Sequence, residues 1–401
     1  MSKTKRNKGT VALAILLALL LALGVAACGG SSSSSSSGSE EATTSEESNE
    51  GETESASSEE GESEESAAGG EVEEGKHVHI AMEEILTGVS FGQELKEGAE
   101  AFAKEDGNVD LEINGPPSTE PEVAQKQATD MLAKKPEAFG FAPFPPELWT
   151  RTATTIIEQV SPNVLTFNER PASEKSQVSA APVQTFVGVN DREGAKLMLE
   201  ALIKAEKLPK SWSGEVILGQ CVAQEAGVLA QRTEGFEEAL SANLPNAKVE
   251  KFNSEVEPQA NTEAWTTELA AHPHVEIATG TCNQDGESLI KLKKEKGYKY
   301  MLGTMELVPL TRPGIEEGLV TVNGGLSWWL EGYTAARMLA EAARGAEIPE
   351  GFVDVGLQAF TKENVKDLEE MEKEPAKFNE EAIAELFKNG MPETKPIEEA
   401  F

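Results

Sequence analysis

The sequence predicts an α/β protein whose parallel sheets lie in two similar lobes, and a repeated strand–loop–helix unit is the first observation behind this prediction. In the second half of the chain, an apolar run, a polar loop and a helix-like segment follow one another at residues 214–218, 219–227 and 229–240. The same plan occurs earlier, at residues 78–82, 87–93 and 95–102. Apolar residues at i, i+3 and i+4 mark both helices. A chain that begins the same unit twice is expected to form two lobes.

A glycine inside each repeated helix is the second observation. Gly98 and Gly235 occupy matching places in the two units. Glycine in a helix interior costs about 0.8–1 kcal/mol relative to alanine, so its presence twice predicts close packing against a sheet.

Alternation of short strands with helices continues from residue 76 onward, and it implies parallel sheets covered on both faces. The expected strands are residues 78–82, 109–113, 138–142, 164–168 and 185–189, then 216–219, 247–253, 277–280, 300–303 and 319–323. The stretch 361–401 is charged and helix-prone, which is typical of a surface appendage.

The first 28 residues read as an export signal. Four basic residues within positions 1–10 precede an apolar run at 11–23, which is too short for an ordinary membrane span. Small residues then lead to Cys28, and the stretch resembles the lipobox of bacterial lipoprotein signal peptides. The alternative is an ordinary secretory signal with an incidental cysteine. We expect export, cleavage before Cys28 and a lipid anchor on its sulfur.

Residues 29–75 are expected to be a disordered tether, because serine, glutamate and glycine cannot bury enough surface to order a chain. The chain carries a net charge of −35, and residues 76–401 account for −24 of it. So acidic a domain argues against nucleic acid and anionic lipid as partners.

Enzymatic and cofactor motifs are weak. Gly88-Val89-Ser90-Phe91-Gly92 matches G-x-S-x-G, but only one strand precedes it, so a loop is a better interpretation than a hydrolase nucleophile. Two histidine pairs, at 77 and 79 and at 272 and 274, lack other metal-ligand spacing and are read as exposed side chains. Neither GxGxxG nor GxxxxGK occurs. We therefore expect no enzyme activity, no metal and no cofactor.

Residues 77–365 resemble periplasmic sugar-binding proteins of the ribose-binding type, the solute receptors of ABC importers. The resemblance is carried by the order and spacing of several short motifs: Lys96-Glu97-Gly98-Ala99, Arg232-Thr233-Glu234-Gly235-Phe236, Ala271-His272-Pro273, Cys282-Asn283-Gln284-Asp285 and Thr361-Lys362-Glu363-Asn364-Val365. It implies a type I periplasmic binding protein fold, in which two doubly wound lobes are joined by a three-crossover hinge and hold ligand between their strand ends.

This resemblance also implies domain boundaries. We expect a first lobe at 76–190 and a second lobe at 191–325. A return helix to the first lobe is expected at 326–348, followed by completion of the second lobe and a charged tail at 349–401. The three crossovers are expected near residues 188–191, 324–326 and 346–351. Trp328 and Trp329 lie between an expected strand and a long helix, a place that suits core residues, a cleft wall or a hinge.

Ligand-binding residues are carried over from the resemblance position by position. The expected set is Phe91, Asn168, Glu169, Arg232, Asn283 and Glu306. Ala142, Met305 and Leu326 stand where the family has polar ligand contacts, which favours a ligand with fewer hydroxyl groups than ribose. Cys221 and Cys282 would end the first and third strands of the second lobe, which are neighbours in this fold, and are expected to form a disulfide.

The function implied is that of a monomeric, lipid-anchored, extracytoplasmic receptor that delivers a sugar-like molecule to an ABC permease. Two alternatives from other classes stay open at this point. One is a sensor lipoprotein that presents ligand to a membrane receptor, and the other is an exported hydrolase.

Overall fold

The computed structural model describes residues 72–169, 183–222 and 227–400. By internal packing the chain divides into two units, Met1–Glu65 and Ser66–Phe401, and the description below concerns the second. Cys28 and residues 29–71 of the predicted tether lie outside the described residues.

Strands and helices alternate through most of the described chain, as the sequence predicts. The strands are β1 (Val78–Glu83), β2 (Val109–Asn114), β3 (Ala138–Phe141), β4 (Val164–Phe167), β5 (Thr185–Gly188), β6 (Glu215–Gln220), β7 (Lys248–Asn253), β8 (Ile277–Gly280), β9 (Met301–Met305), β10 (Val322–Leu326), β11 (Gly351–Asp354) and β12 (Leu357–Phe360). The helices are α1 (Ser90–Asp106), α2 (Pro121–Leu132), α3 (Thr150–Val160), α4 (Asp191–Ala205), α5 (Gly227–Asn243), α6 (Pro258–Ala271), α7 (Asn283–Lys296), α8 (Thr311–Glu316), α9 (Trp328–Ala343), α10 (Val365–Lys373), α11 (Pro375–Phe378) and α12 (Glu380–Leu386).

Two six-stranded sheets form the two lobes. Their strand orders are β11-β5-β4-β3-β1-β2 and β12-β10-β9-β8-β6-β7. Every pair is parallel except β10 with β12, which is antiparallel. The central strands are buried on both faces, which is why they appear in the sequence as short apolar runs. The predicted fold class of two doubly wound parallel-sheet lobes is confirmed.

Glycines of the repeated helices serve helix–helix packing, so the prediction that they pack on a sheet is wrong. A Cβ atom on Gly98 of α1 would lie 1.9 Å from the carbonyl oxygen of Trp329 in α9. In the second lobe, a Cβ atom on Gly235 of α5 would lie 2.1 Å from the carbonyl oxygen of Arg192 in α4. Each lobe therefore contains one tightly packed helix pair, and in each pair one helix directly follows a connection between the lobes.

Three connections join the lobes. The first lies between β5 and α4 and the second between β10 and α9, close to their predicted positions. The third is the link between β11 and β12 at residues 355–356, so its predicted position at 346–351 is wrong. Residues 349–401 were expected to complete only the second lobe, yet β11 joins the first sheet and β12 the second. Both strands have only four residues, and so short a run carries no clear sequence pattern.

The C-terminal stretch is integrated into both lobes, which corrects its prediction as a surface appendage. Leu368 and Met371 of α10 are buried in the core of the second lobe, whereas Phe387 packs into the core of the first. The backbone of Lys395 pairs with that of Phe352 in β11. The apolar residues that make these contacts are spaced widely within a charged sequence, so periodicity alone does not reveal them.

Among the helices of the described residues, none has both the length and the apolar composition needed to cross a membrane.

Candidate functional site

The carboxyl ends of the parallel strands of both lobes face a cleft between them. A cavity of about 80 Å³ lies in this cleft. Its lining includes five of the six predicted ligand residues, namely Phe91, Asn168, Arg232, Asn283 and Glu306. The sixth, Glu169, is fully buried beside it and accepts a long hydrogen bond, 3.5 Å, from the backbone N–H of Val228 in the first turn of α5. The structure thus brings the predicted residues of both lobes together.

Arg232 on α5 organises the polar side of the cavity. Its guanidinium is 1% exposed, and Nε donates to Asp191 Oδ1 at 2.7 Å. Nη1 donates to the carbonyl oxygen of Thr281 at 2.8 Å and to Glu306 Oε1. Burial by itself lowers the pKa of Arg232, but the two carboxylates outweigh it, and the net pKa is raised. Arg232 therefore stays charged, and its Nε and Nη1 groups are engaged by neighbouring oxygen atoms.

Asn168 and Glu306 share an unusual backbone conformation. Each directly follows the fourth strand of its lobe, β4 or β9, and each has a positive φ, 58° and 62° respectively. Asparagine tolerates this left-handed region, whereas glutamate rarely adopts it. Strained residues of this kind cluster at functional sites, and here the two equivalent positions both face the cavity. Burial raises the pKa of Glu306, and Arg232 only partly opposes the shift.

An aromatic wall comes from α1 and from the start of α9. Ser327 caps α9, because its hydroxyl accepts a hydrogen bond from the backbone N–H of Leu330. Trp328 follows and lines the cavity, with its ring centroid 5.8 Å from that of Phe91. Trp329 lies instead against Tyr333, at 5.4 Å between ring centroids. The first tryptophan is a cleft wall, and the second packs in the core and borders the groove described below.

Glu331 is a buried acidic residue that the sequence reasoning missed, and it lies behind Asn168 of the cavity lining without itself lining the cavity. It lies one turn into α9, is fully buried, and its carboxyl group interacts with the backbone and side-chain amides of Asn168. Burial raises the pKa of Glu331 well above its ordinary value, and nearby Asp191 raises it further. The Asn168 amides and Arg232 only partly oppose this shift. Its position three residues after Trp328, on the same helical face, is the only signal that the sequence offers.

Ala142, Met305 and Leu326 are core residues that do not line the cavity. They contribute no polar group to the cleft. Cys221 and Cys282 do line it, and they form a disulfide with their Cα atoms 6.2 Å apart, between the neighbouring strands β6 and β8. Asp285 approaches both sulfur atoms, but since the sulfurs are bonded to each other, this group is not a metal site.

A second, larger space of about 400 Å³ adjoins the cavity, and we call it the outer groove. Charged, hydroxyl and aromatic side chains contribute to its lining, including Ser90, Glu94, Glu97, Arg312, Trp329 and Glu372. The Ser90 hydroxyl donates to the carbonyl oxygen of Leu307 at 3.2 Å, a direct bond between the lobes. Ser90, the serine of the G-x-S-x-G match, therefore makes an inter-lobe contact.

Solved structures share this fold. GanP, a glucose-galactose binding protein from Geobacillus stearothermophilus, is 20% identical, with a TM-score of 0.62 over 72% of this chain and 99% of its own. An ABC transporter solute-binding protein from Agrobacterium vitis, bound with α-D-tagatopyranose, is 18% identical, with a TM-score of 0.65 over 72% of this chain and 96% of its own. An ABC transporter solute-binding protein from Mycobacterium smegmatis, with bound glycerol, is 20% identical, with a TM-score of 0.63 over 73% of this chain and 96% of its own. Likeness at these identities shows the fold.

Among curated proteins, no sequence matches this chain. A family model described as periplasmic binding protein domain matches residues 86–347, which is more than half of the chain. The matched region contains the first two connections, every strand of the two sheets except β1, β11 and β12, and all the cavity residues discussed above. The chain therefore belongs to the periplasmic binding protein domain family.

Proposed function

We propose that this protein is the extracytoplasmic receptor of an ABC importer and that it binds a sugar or sugar-like molecule between its lobes. The observation that carries the proposal is the cavity itself, where polar and aromatic side chains from both lobes meet at strand ends. Proteins of the same fold include a glucose-galactose binding protein and solute-binding proteins with bound tagatose and glycerol. The receptor would pass its ligand to a membrane permease and act as a monomer.

Ligand binding would act on the equilibrium between open and closed lobes. A cavity of about 80 Å³ is small beside the ~300–1,000 Å³ of ordinary ligand pockets, so it would have to widen to admit a sugar. Entry of a ligand then requires the lobes to separate by hinge motion. A ligand that touches Asn168 from one lobe and Asn283 from the other binds the closed state better and stabilises it.

Phe91 and Trp328 would pack against the apolar face of the ligand, while Asn168, Glu169, Arg232, Asn283 and Glu306 would supply the polar groups. Because Arg232 already donates to three oxygen atoms, few polar groups remain for ligand hydroxyls. An unpaired buried polar group costs about 1–3 kcal/mol, so a ligand with fewer hydroxyls fits better than ribose.

The test is calorimetry of the double variant Asn168→Ala with Glu169→Ala against monosaccharides and their deoxy derivatives. We expect binding to weaken at least ~10-fold, because two polar contacts at the cleft are lost. Glu158→Ala with Gln159→Ala is the matched control, since that pair is exposed on α3 of the same lobe. Undiminished affinity in the cleft variant would mean that ligand binds elsewhere, and tight binding of ribose would contradict the less polar ligand.

We propose that the receptor has no catalytic activity. The hydroxyl of Ser90, the one candidate nucleophile from the sequence, donates to a carbonyl oxygen and not to a base. A sensor that presents ligand to a membrane receptor would use the same cleft, and no feature of the described residues favours it over transport.

A lipid anchor on Cys28 is proposed from the sequence of residues 1–28, which carries a basic start, a short apolar run and small residues before the cysteine. Cys28→Ser should release the protein from washed membranes into the soluble fraction, because the thiol that accepts the lipid is gone. Retention of the Cys28→Ser protein on membranes would argue against the anchor.

A further inference from the structure

A small apolar cluster lies at the cavity, apart from the larger cores of the two lobes. It is formed by the disulfide and the side chains packed around it, and we call it the inter-lobe cluster: Phe144, Cys221, Val222, Val228, Leu229 and Cys282. Phe144 follows β3 of the first lobe, whereas Val228 and Leu229 lie in the first turn of α5 in the second. All members except Val222 line the cavity. The cluster therefore presents apolar surface from both lobes to whatever fills the cleft.

The rest of the lining extends this apolar surface. Ile85 and Leu86 follow β1 of the first lobe, and Val256 follows β7 of the second. Apolar surface contributes to binding in proportion to the area that the ligand removes from water. A bare sugar ring is edged by hydroxyl groups, so it would leave much of this aliphatic surface without a matching partner.

Several polar groups at the cavity already have partners. Arg232 donates to three neighbouring oxygen atoms, and the amides of Asn168 interact with the buried Glu331. The side-chain amides of Asn283 and Gln284, at the start of α7, are buried and form no hydrogen bond with the described residues. These two amides can serve a few polar groups of a ligand. They are too few for a ring that carries hydroxyl groups on every side, because each unpaired buried polar group weakens binding.

The charges at the cavity argue against an apolar acid as the ligand. Arg232 is the only cationic side chain that lines the cavity among the described residues, and it already pairs with both Asp191 and Glu306. A carboxylate brought into the cleft would meet those two acidic groups without a free counter-charge, which is unfavourable in a buried site. The lining therefore suits a neutral ligand with one polar part and one apolar part.

We infer that the ligand is a neutral sugar derivative with an apolar substituent, an alkyl or aryl glycoside, and that the substituent covers the inter-lobe cluster. This inference rests on the proposed function and narrows its ligand class. The sugar ring lies against Phe91 and Trp328, and its substituent is buried between Phe144 of one lobe and Val228 of the other. Because both lobes contact the substituent, it adds to the preference of the ligand for the closed state.

The experiment is calorimetry on the ligand-free full chain. The probes are methyl, ethyl, propyl, butyl and phenyl glycosides of hexoses and pentoses, each compared with its parent sugar. For at least one sugar, we expect affinity to rise about fourfold with each added methylene until the cluster is covered. The heat-capacity change of binding should become more negative along the same series, since burial of apolar surface has this signature.

The two possible failures of this experiment are distinguishable. Parent sugars that bind as tightly as their glycosides would overturn this inference and leave the proposed function standing. No binding by any parent sugar or glycoside would contradict the proposed function itself.

Val228→Thr supplies the second arm, because it replaces a methyl group of the inter-lobe cluster with a hydroxyl and nearly keeps the shape. We expect the advantage of the glycoside over its parent sugar to fall at least about threefold, while the affinity for the parent sugar stays unchanged. Misfolding would weaken both ligands together. Val249→Thr is the matched control, since Val249 is 41% exposed on β7 and lines neither the cavity nor the outer groove. A Val228→Thr protein with the full preference for the glycoside would overturn the placement of the substituent.

Discussion

Arg232→Met should lower the free energy of unfolding by about 3–5 kcal/mol, since it leaves Asp191 and Glu306 buried without their counter-charge. Both carboxylates are less than 10% exposed, and each accepts a hydrogen bond from this guanidinium, which is their shared counter-charge. Urea denaturation measures the change as a shift of the unfolding midpoint. Arg312→Met is the control, because its partners Glu316 and Glu372 reach solvent, and its midpoint should barely move.

A triple variant separates lost charge pairing from lost packing. If Arg232→Met is combined with Asp191→Asn and Glu306→Gln, no buried charge remains unpaired, and most of the lost stability should return. If the triple variant is as unstable as the single one, the cost of Arg232→Met lies in packing and the electrostatic account is wrong.

The stability of the protein should fall as pH rises from 5 to 8, and Glu84 should be a main cause. Glu84 is 1% exposed at the end of β1, and its carboxyl oxygens have no hydrogen-bond partner among the described residues. Burial raises its pKa from 4.5 to about 8, and Lys96 opposes the shift only in part. Between these two values the folded chain holds a proton that the unfolded chain has released. Folding therefore loses stability as pH rises through this window.

Glu84→Gln should remove this dependence. At about 1.36 kcal/mol per pH unit, wild type should lose about 3 kcal/mol more than the variant between pH 5 and pH 7.5. The adjacent Glu83, whose pKa burial also raises, leaves a residual slope of the same sign in both proteins. Melting temperatures measured across this range, with the exposed Glu158→Gln as control, provide the comparison. Parallel profiles for Glu84→Gln and wild type would show that Glu84 ionises freely in the folded state.

Much of the fold could be predicted from the sequence because strands buried on both faces appear as short apolar runs between helices. The predictions are poorest at the second and third connections, where tertiary pairing overrides local preference. β10 lies at Val322–Leu326, three residues later than predicted, and contains Gly324 and Gly325, which are weak strand formers. It pairs with β9 on one side and β12 on the other, and these long-range hydrogen bonds have no local signal.

In the candidate site, too, some positions could be predicted from the sequence and others could not. Residues at strand ends, such as Asn168 and Glu306, could be predicted because the fold brings the carboxyl ends of parallel strands to one edge. The sequence does not decide whether Trp328 lies in the core or at the cleft, and it gives no sign of Glu331, because their positions depend on how α9 crosses back to the first lobe. The direction of a helix face toward a cleft depends on that crossing angle, which residue spacing does not determine.

The three connections limit how the two lobes can move relative to each other. They leave from β5, β11 and β10, and in each sheet they involve the outermost strand or its immediate neighbour. Three chain segments side by side prevent the lobes from sliding or turning independently, so their relative position is reduced to nearly one mechanical coordinate, the opening angle. A membrane partner that contacts both lobes would therefore meet the same structural change with any ligand, namely an opening angle that is either wide or narrow. The chemistry of the cleft can then change in evolution without any change in the signal that the partner reads.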